Sequence, residues 1–356
     1  MKTIKQVLYA GQEKADDTSP FIIAEMSGNH GASLDMALKI VEAAAKTGAD
    51  AIKMQTFTPD SMTLDLDEDD FKVTNKNSLW YGRKLYDLYD EGQTRREWHQ
   101  EIFDRAHSLG ILCFSSPFDE AAIEFLETLN APAYKIASFE CVDLPLIRCA
   151  AQTGKPLIIS TGMASIGEID EAVEAATKAG CKQLTLLKCT SSYPAPPEDA
   201  NLLTIPHMAE LFGCQVGLSD HTLGIGAAVT ATVLGGSIIE KHFTLSRDDG
   251  AIDAAFSLEP KEFTELVQET KTAAAALGKV SYGVTQADRA AREKRRSIYV
   301  VRDIAAGEAF TTENIRRIRP GHGLAPKYYE DVLRSKATRS ISQGTPISWD
   351  LMDITN

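Results

Sequence analysis

An eightfold alternation between Phe21 and Gly278 constrains this chain more than any other feature. A short apolar run, a polar turn and a helical stretch recur in that order. The runs are Phe21–Met26, Ala51–Gln55, Ile111–Ser115, Ala133–Ala137, Pro156–Ser160, Leu184–Cys189, Gln215–Leu218 and Ile238–Lys241. Amphipathic segments such as Ser33–Gly48, Ile166–Gly180 and Pro260–Gly278 lie between them, and several close on glycine, the usual helix stop. Eight such units fit a closed barrel, whereas a doubly wound open sheet has fewer units and a Gly-rich first turn. Glu25 stands where that turn would begin. The expected fold class is α/β, a (β/α)8 TIM barrel.

After Gly278 the pattern stops. Gln286–Arg296 is polar and basic, a linker helix whose default reading is a solvated charged face. A weak repeat follows: Arg302–Ile315 matches Arg339–Met352, aligning Ile304 with Ile341, Gly307 with Gly344 and Glu313 with Asp350. Each copy reads as a strand, a glycine turn and a short capped segment, which predicts a small β-rich domain with pseudo-twofold symmetry. The expected division is a barrel over 1–282, a linker over 283–296 and a small domain over 297–356. Within the barrel one connection is long, from Thr56 to Thr94. Its acidic run Asp65–Asp70 reads as solvated loop, and its aromatic stretch Leu79–Tyr89 as either a lid or wall of a substrate pocket or packing over the barrel mouth.

Composition excludes some partners. A net charge of −13 argues against nucleic acid, since phosphate neutralisation needs a basic surface, but leaves room for a small anion in a local basic pocket. The six cysteines show no C-x-x-C pair and several lie in apolar runs, so free buried thiols are expected, as in a reducing, cytoplasmic setting. The first residues hold no apolar core of signal-peptide length and no run reaches membrane-spanning length, so no membrane partner is expected.

Barrel active sites are built where strands end. Those ends carry Glu25, Lys53 and Gln55, Ser115 and Ser116, Lys135 and Ser138, Ser160 and Thr161, Lys188 with Thr190 and Ser191, Ser219 with His221, and Glu240 with His242. Hydroxyls alone are ordinary strand caps. Lysines on a barrel rim are not, because a desolvated ammonium needs a partner; Lys53, Lys135 and Glu25 pairing with one another is the plain reading, anion binding the functional one. His221 and His242 end neighbouring strands, around the segment Gly224–Leu234 that reads as a buried helix. Two histidines are too few for structural zinc; they suit a catalytic divalent ion with open positions, or are simply satisfied side chains. No cysteine stands beside a histidine in sequence for thiol catalysis.

Seven ordered motifs then carry a resemblance: Ala24–His30, Ile52–Gln55, Tyr134–Ser138, Ser160–Met163, Lys188–Pro194, Gly217–Thr222 and Glu240–Thr244. Together they resemble the sialic acid synthase family, and the C-terminal segment resembles its SAF (antifreeze-like) domain. The stretches Leu79–Tyr89 and Ser115–Asp119 are most similar to the pseudaminic acid branch, with Gly28 replacing an expected alanine without foreseen consequence. The resemblance implies condensation of phosphoenolpyruvate with an N-acetylated amino sugar. It implies Mn2+ or Mg2+ on His221 and His242, and the phosphoenolpyruvate anion on Lys53, Ser116, Lys135, Ser138, Ser160, Ser191 and Ser219. Ser191 and Ser116 depart from the residues most frequent in the family. By the same resemblance Gln55, Tyr193 and Asp253 touch the sugar, and Glu25 transfers the proton that lets water attack C2. Arg319 would reach over from a partner subunit in a domain-swapped homodimer. Competing readings are synthesis of N-acetylneuraminic or legionaminic acid by the same chemistry, a Schiff-base aldolase using Lys135 or Lys188, and a sugar- or ice-binding protein acting through the C-terminal domain.

Overall fold

The eight apolar runs form one closed parallel barrel whose strands neighbour each other in chain order. The computed structural model describes residues 2–76 and 78–353; Met1, Asn77 and the last three residues of the expected small domain lie outside them. The strands are β1 Phe21–Glu25, β2 Ala51–Thr56, β3 Leu112–Pro117, β4 Tyr134–Ile136, β5 Leu157–Ser160, β6 Leu184–Cys189, β7 Gln215–Asp220 and β8 Ile238–His242. The expected bounds match for β6 and differ by one or two residues at the ends of the other strands.

The strands read as near-continuous apolar runs because both faces are covered. Their side chains alternate. Phe21, Ile23, Ala51, Phe114, Ala133, Ile158, Leu187 and Ile238 fill the barrel interior. Ile22, Ala24, Ile52, Met54, Tyr134, Ile136, Leu157, Ile159, Leu186, Leu218 and Ile239 face the helices. Carried toward the C-terminal strand ends, the inward parity selects Glu25, Lys53, Gln55, Ser116, Lys135, Ser160, Cys189, Ser219, Glu240 and His242. Lys188, Asp220 and Lys241 fall on the outward parity.

The segment Gly226–Val233 is helical but covered on one face only, with Ala228, Ala231 and Thr232 buried and Val233 about half exposed. The expectation of a buried helix is corrected: small side chains let it lie close against the neighbouring helix Pro260–Leu277, leaving its outer face in water.

The eightfold pattern gave no sign of a helix before β1. Ile4–Leu8 is helical, opened by a Thr3 capping box. Ile4 joins the interior cluster, and the Tyr9 hydroxyl donates to the Asp50 carbonyl at 2.9 Å. Buried Lys5 donates to Asp17 and Ser19, each at 2.9 Å, beside Asp50 at 3.7 Å. The segment seals the N-terminal end of the barrel.

The chain divides into two compact units, Met1–Gly278 and Lys279–Asn356. In the second, the basic stretch supplies a short helix, Asp288–Arg292. Strands β9 Ser297–Val300 and β10 Ile315–Ile318 pair antiparallel, as do β11 Lys336–Ala337 and β12 Met352–Asp353. The repeat is visible atom by atom. Val300 pairs with Ile315 as Ala337 pairs with Met352. Ile304 and Ile341 exchange both backbone hydrogen bonds at 2.9 Å across the pseudo-twofold axis. Gly307 and Gly344 take the left-handed turn at φ 79° and 85°. Arg302 meets Glu313 at 3.3 Å, and Arg339 meets Asp350 at 2.9 Å.

Candidate active site

At the C-terminal end of the barrel the inward residues make a buried charge network. Lys53 Nζ lies 2.6 Å from Glu25 Oε2 and 3.7 Å from Glu240 Oε1, and donates to Ser116 Oγ at 3.0 Å. Gln55 donates to Glu25 Oε1 at 3.1 Å. Lys135 donates to Ser160 Oγ at 2.6 Å and stands 3.7 Å from Glu240 Oε1, while Ser219 reaches the same carboxylate oxygen at 3.4 Å. All six ionic and hydroxyl partners of this network on β1, β2, β4, β5, β7 and β8 are buried, as is Ser116.

The two carboxylates are driven apart. Burial, joined by the nearby Glu240, outweighs the opposing Lys53 and pushes Glu25 above the ordinary carboxylate range. For Glu240 burial also opposes ionisation, but Lys135 and Lys53 outweigh it and hold the group below its usual value. Such a divergence assigns different protonation roles to two acids in one site. Burial lowers Lys135, whereas Lys53, pressed by Glu240 and Glu25, is held up despite burial.

The histidines form the second part. The His221 and His242 ring centres are 5.3 Å apart. His221 Nδ1 lies 2.9 Å from the Thr190 carbonyl, which takes its N–H and leaves the Nε2 lone pair free. His242 Nδ1 is buried without a hydrogen-bond partner. Burial, then the charges of His221 and Lys53, hold His242 neutral well below the ordinary imidazole value. Burial opposes a charge on His221, but Cys189 and the Thr190 carbonyl outweigh it and raise its pKa, so of the two only His242 is held neutral. With His221 deprotonated, the pair offers two imidazole donors to a divalent cation. Among the described residues no group of three His, Cys, Asp or Glu converges in metal-holding geometry. The donor set therefore fits an open site whose other positions fall to water and substrate, not a closed structural one. Tyr193 stacks 4.4 Å from His221 and 6.3 Å from His242. Asp253 accepts from Ser27 at 2.5 Å and approaches His242 Nδ1 at 4.0 Å.

Ser138 Oγ accepts the Gly162 N–H at 3.1 Å, and Ser191 lies by Cys189, Oγ to Sγ 3.8 Å. Gly162 has no room for a side chain: a Cβ there would fall 2.2 Å from Ser191 Oγ and 2.8 Å from Ser138 Oγ, so the two hydroxyls meet over it. Arg319 belongs to the second unit and is exposed there. Lys188 stands apart from the network, donating to the Cys189 carbonyl at 2.9 Å. The expected absence of a cysteine beside a histidine is corrected: residues distant in the chain meet, with Cys189 Sγ 3.8 Å from His221 Nδ1.

Beside these groups opens a cavity of about 530 Å3. It is lined by Gln55, Tyr193, His242 and Asp253, by Phe57, Met62, Val73, Trp80, Leu85, Leu88 and Tyr89 from the long connection after β2, and by Phe118, Phe139 and Ile252 from other loops. That connection is thus a wall of the pocket, with Asn77 outside the described residues. Trp80 Nε1 donates to the Ile252 carbonyl at 3.2 Å, fastening the wall to the loop after β8. Gly28 is not neutral here: a Cβ on it would meet Gly92 Cα at 3.2 Å, so alanine would push the wall outward. Sequence reasoning left Glu240 without an assigned role, although its position two residues before His242 places both on one face of β8. It had no signal for Glu140, which lines the cavity with a buried, unpartnered Oε2 and is pushed up to about 7 by burial.

Comparison with known proteins places this geometry. The NeuB family model matches residues 40–282 and the SAF domain model residues 295–352. The chain is 46% identical over 328 residues to the pseudaminic acid synthase of Campylobacter jejuni, covering 92% of this chain and 95% of that protein. It is 44% identical to the pseudaminic acid synthase of Helicobacter pylori, covering 93% and 97%. Among solved structures, the N-acetylneuraminic acid synthetase of Leptospira borgpetersenii superposes with a TM-score of 0.68 at 32% identity, covering 77% of this chain and 90% of that one.

Proposed function

The chain belongs to the NeuB family, and from that premise we propose that it is a pseudaminic acid synthase. It condenses phosphoenolpyruvate with 2,4-diacetamido-2,4,6-trideoxy-L-altrose, yielding pseudaminic acid and phosphate. The observation that carries the choice of sugar is the apolar lining that the long connection after β2 supplies to the cavity that Gln55, Tyr193, His242 and Asp253 also line. A 6-deoxy sugar presents a methyl group, and acetamido groups present two more; an apolar wall suits all three better than it suits a hydroxymethyl.

The chemistry balances as follows. The enol carbon C3 attacks the aldehyde carbon, forming the new C–C bond, and the aldehyde oxygen takes a proton. Water adds to the cationic C2, and the bond between C2 and the bridging oxygen breaks to release phosphate. Lys53 with Ser116, Lys135 with Ser160, and Ser138, Ser191 and Ser219 offer fixed donors to the phosphate and carboxylate. Gln55, Tyr193 and Asp253 border the sugar space. Glu25, with the raised affinity for a proton, accepts one from the attacking water. His221 and His242 would hold Mn2+ or Mg2+, which when bound supplies Lewis-acid polarisation of the aldehyde oxygen.

Phosphate release with phosphoenolpyruvate and a panel of N-acetylated sugars tests the reading. The diacetamido-trideoxy sugar should give the highest kcat/KM, and bridging 18O should leave with the phosphate. A higher value with N-acetylmannosamine would move the substrate to the neuraminate type; label retained in the keto acid would overturn the bond cleavage.

A second copy of the chain completes the proposal. Exposed Arg319 would bind an acetamido group in the barrel of its partner, in a domain-swapped dimer. Mixing Glu25→Ala with Arg319→Ala should then restore about a quarter of wild-type activity. Half of the randomly exchanged dimers are mixed, and each carries one intact site of two. No recovery, with subunit exchange shown independently, sinks the swap.

A further inference from the structure

Behind the two histidines, outside the barrel wall, lies a charge pair with no part in the chemistry above. Asp220 and Lys241 are register partners across β7 and β8, each one residue before a histidine. Their Oδ2 and Nζ atoms are 2.7 Å apart, and both side chains are 1% exposed. The other carboxylate oxygen accepts the Thr222 N–H at 2.9 Å and the Thr222 hydroxyl at 2.7 Å. Lys241 Nζ also donates to the Thr222 carbonyl at 2.5 Å. The pair therefore grips the chain immediately before and after His221.

The grip falls where the fold needs it. His242 is the last residue of β8, and the ladder with β1 sets it opposite Glu25. His221 lies just past the end of β7, beyond its ladder with β8. Its backbone carbonyl accepts from Ala195 N–H at 2.9 Å and its ring is turned by Thr190. Neither contact ties it to β8; beyond the ladder position of Asp220 and the ring contact with His242 itself, the link to that strand runs through the side chains of Asp220, Lys241 and Thr222. Stability alone is a poor reason for the pair, because the desolvation of two buried charges consumes most of their attraction and an apolar pair of similar volume is often as stable. The carboxylate facing Lys241 from the packed helix, Glu262, is itself held by Arg247 at 2.5 Å, which leaves Asp220 as the direct partner.

We infer that Asp220, Lys241 and Thr222 are positioning residues that set the spacing and orientation of His221 relative to His242, and so the affinity for the divalent cation. This rests on the reading of the two histidines as metal ligands. Outer partners of metal-binding histidines typically contribute about 10- to 100-fold in affinity.

The experiment measures Mn2+ binding directly, from the electron paramagnetic resonance signal of free aquo-Mn2+, with no turnover involved. The wild-type protein should bind and His242→Ala should not; absence of wild-type binding would refute the metal reading itself. Asp220→Asn with Lys241→Met removes both charges while keeping an acceptor for Thr222. It should melt within a few degrees of wild type and bind Mn2+ about 10- to 100-fold more weakly. Thr222→Val, which keeps the charge pair and deletes one bond, should weaken binding toward the lower end of that range, and it decides the matter alone if the double variant does not fold. A lowered melting temperature with wild-type Mn2+ affinity in the folded protein would assign the pair a structural role only. Wild-type affinity in every folded variant, with His242→Ala silent, overturns the inference and leaves the metal reading standing.

Discussion

EDTA should abolish turnover, and Mn2+ or Mg2+ should restore it. His242→Ala should lower kcat/KM by roughly 10³-fold or more, about 4 kcal/mol of transition-state stabilisation, with the fold intact. The enol carbon is a weak nucleophile, so the aldehyde must be activated, and the histidines are the donors in the site fitted to a cation. The fold should survive because the buried Nδ1 of His242 makes no hydrogen bond that the substitution would break. His221→Ala deletes the bond to Thr190 and should cost about 1 kcal/mol of stability besides its activity. Circular dichroism and melting temperature separate folding from function. Full activity in chelator, after exhaustive dialysis, would end the metal reading.

Glu25→Gln should lower kcat by about 10²- to 10⁴-fold with a smaller change in KM, the range for a lost proton-transfer group. The sign of the pH dependence follows from the direction of the shift. Burial raises the Glu25 carboxyl, so the base form is lost as pH falls through a value above the ordinary carboxylate one, and kcat falls with it. That acid limb should vanish in Glu25→Gln, whose residual rate should be flat over the same range. Glu240, held low by Lys135 and Lys53, stays ionised across the window and cannot supply the limb. A Gln variant that keeps both rate and limb would remove Glu25 from the proton transfer.

The barrel was legible because strand, turn and helix recur with little interruption, and the candidate site because strand ends carry the chemistry in such folds. Alternation along each strand held more than was read from it. It separates inward Lys135 from outward Lys188, which the sequence offered as equivalent nucleophiles, and it pairs Glu240 with His242. Contacts between loops distant in the chain were not legible at all. Cys189 beside His221 joins residues on β6 and just past β7, and Glu140, whose Oε2 has no hydrogen-bond partner, reaches the cavity from the turn after β4. The helix Ile4–Leu8 is too short for periodicity to announce it, and its role is evident only from the interior cluster that Ile4 enters. In the small unit the repeat predicted the symmetry well, since turn glycines and flanking ion pairs recur at one spacing.

The interior of the barrel changes character along its axis. Phe21, Phe114, Ile158, Leu187, Ile238 and the sealing Ile4 make the lower part hydrocarbon, while the upper part is charged. Along β1 the step from Phe21 to Glu25 is four residues, about 13 Å at strand rise. Sites separated by more than about 7–10 Å without shared partners contribute to stability almost independently. Phe114, Ile158, Leu187 and Ile238 stand only two residues below Ser116, Ser160, Cys189 and Glu240, about 7 Å at strand rise, so the transferable substitutions are those around Ile4 and Phe21. A stabilised background built there can be combined with any active-site variant, its gain carried over within about 0.5 kcal/mol, so that changes to substrate preference that weaken the fold become accessible without rebuilding the site.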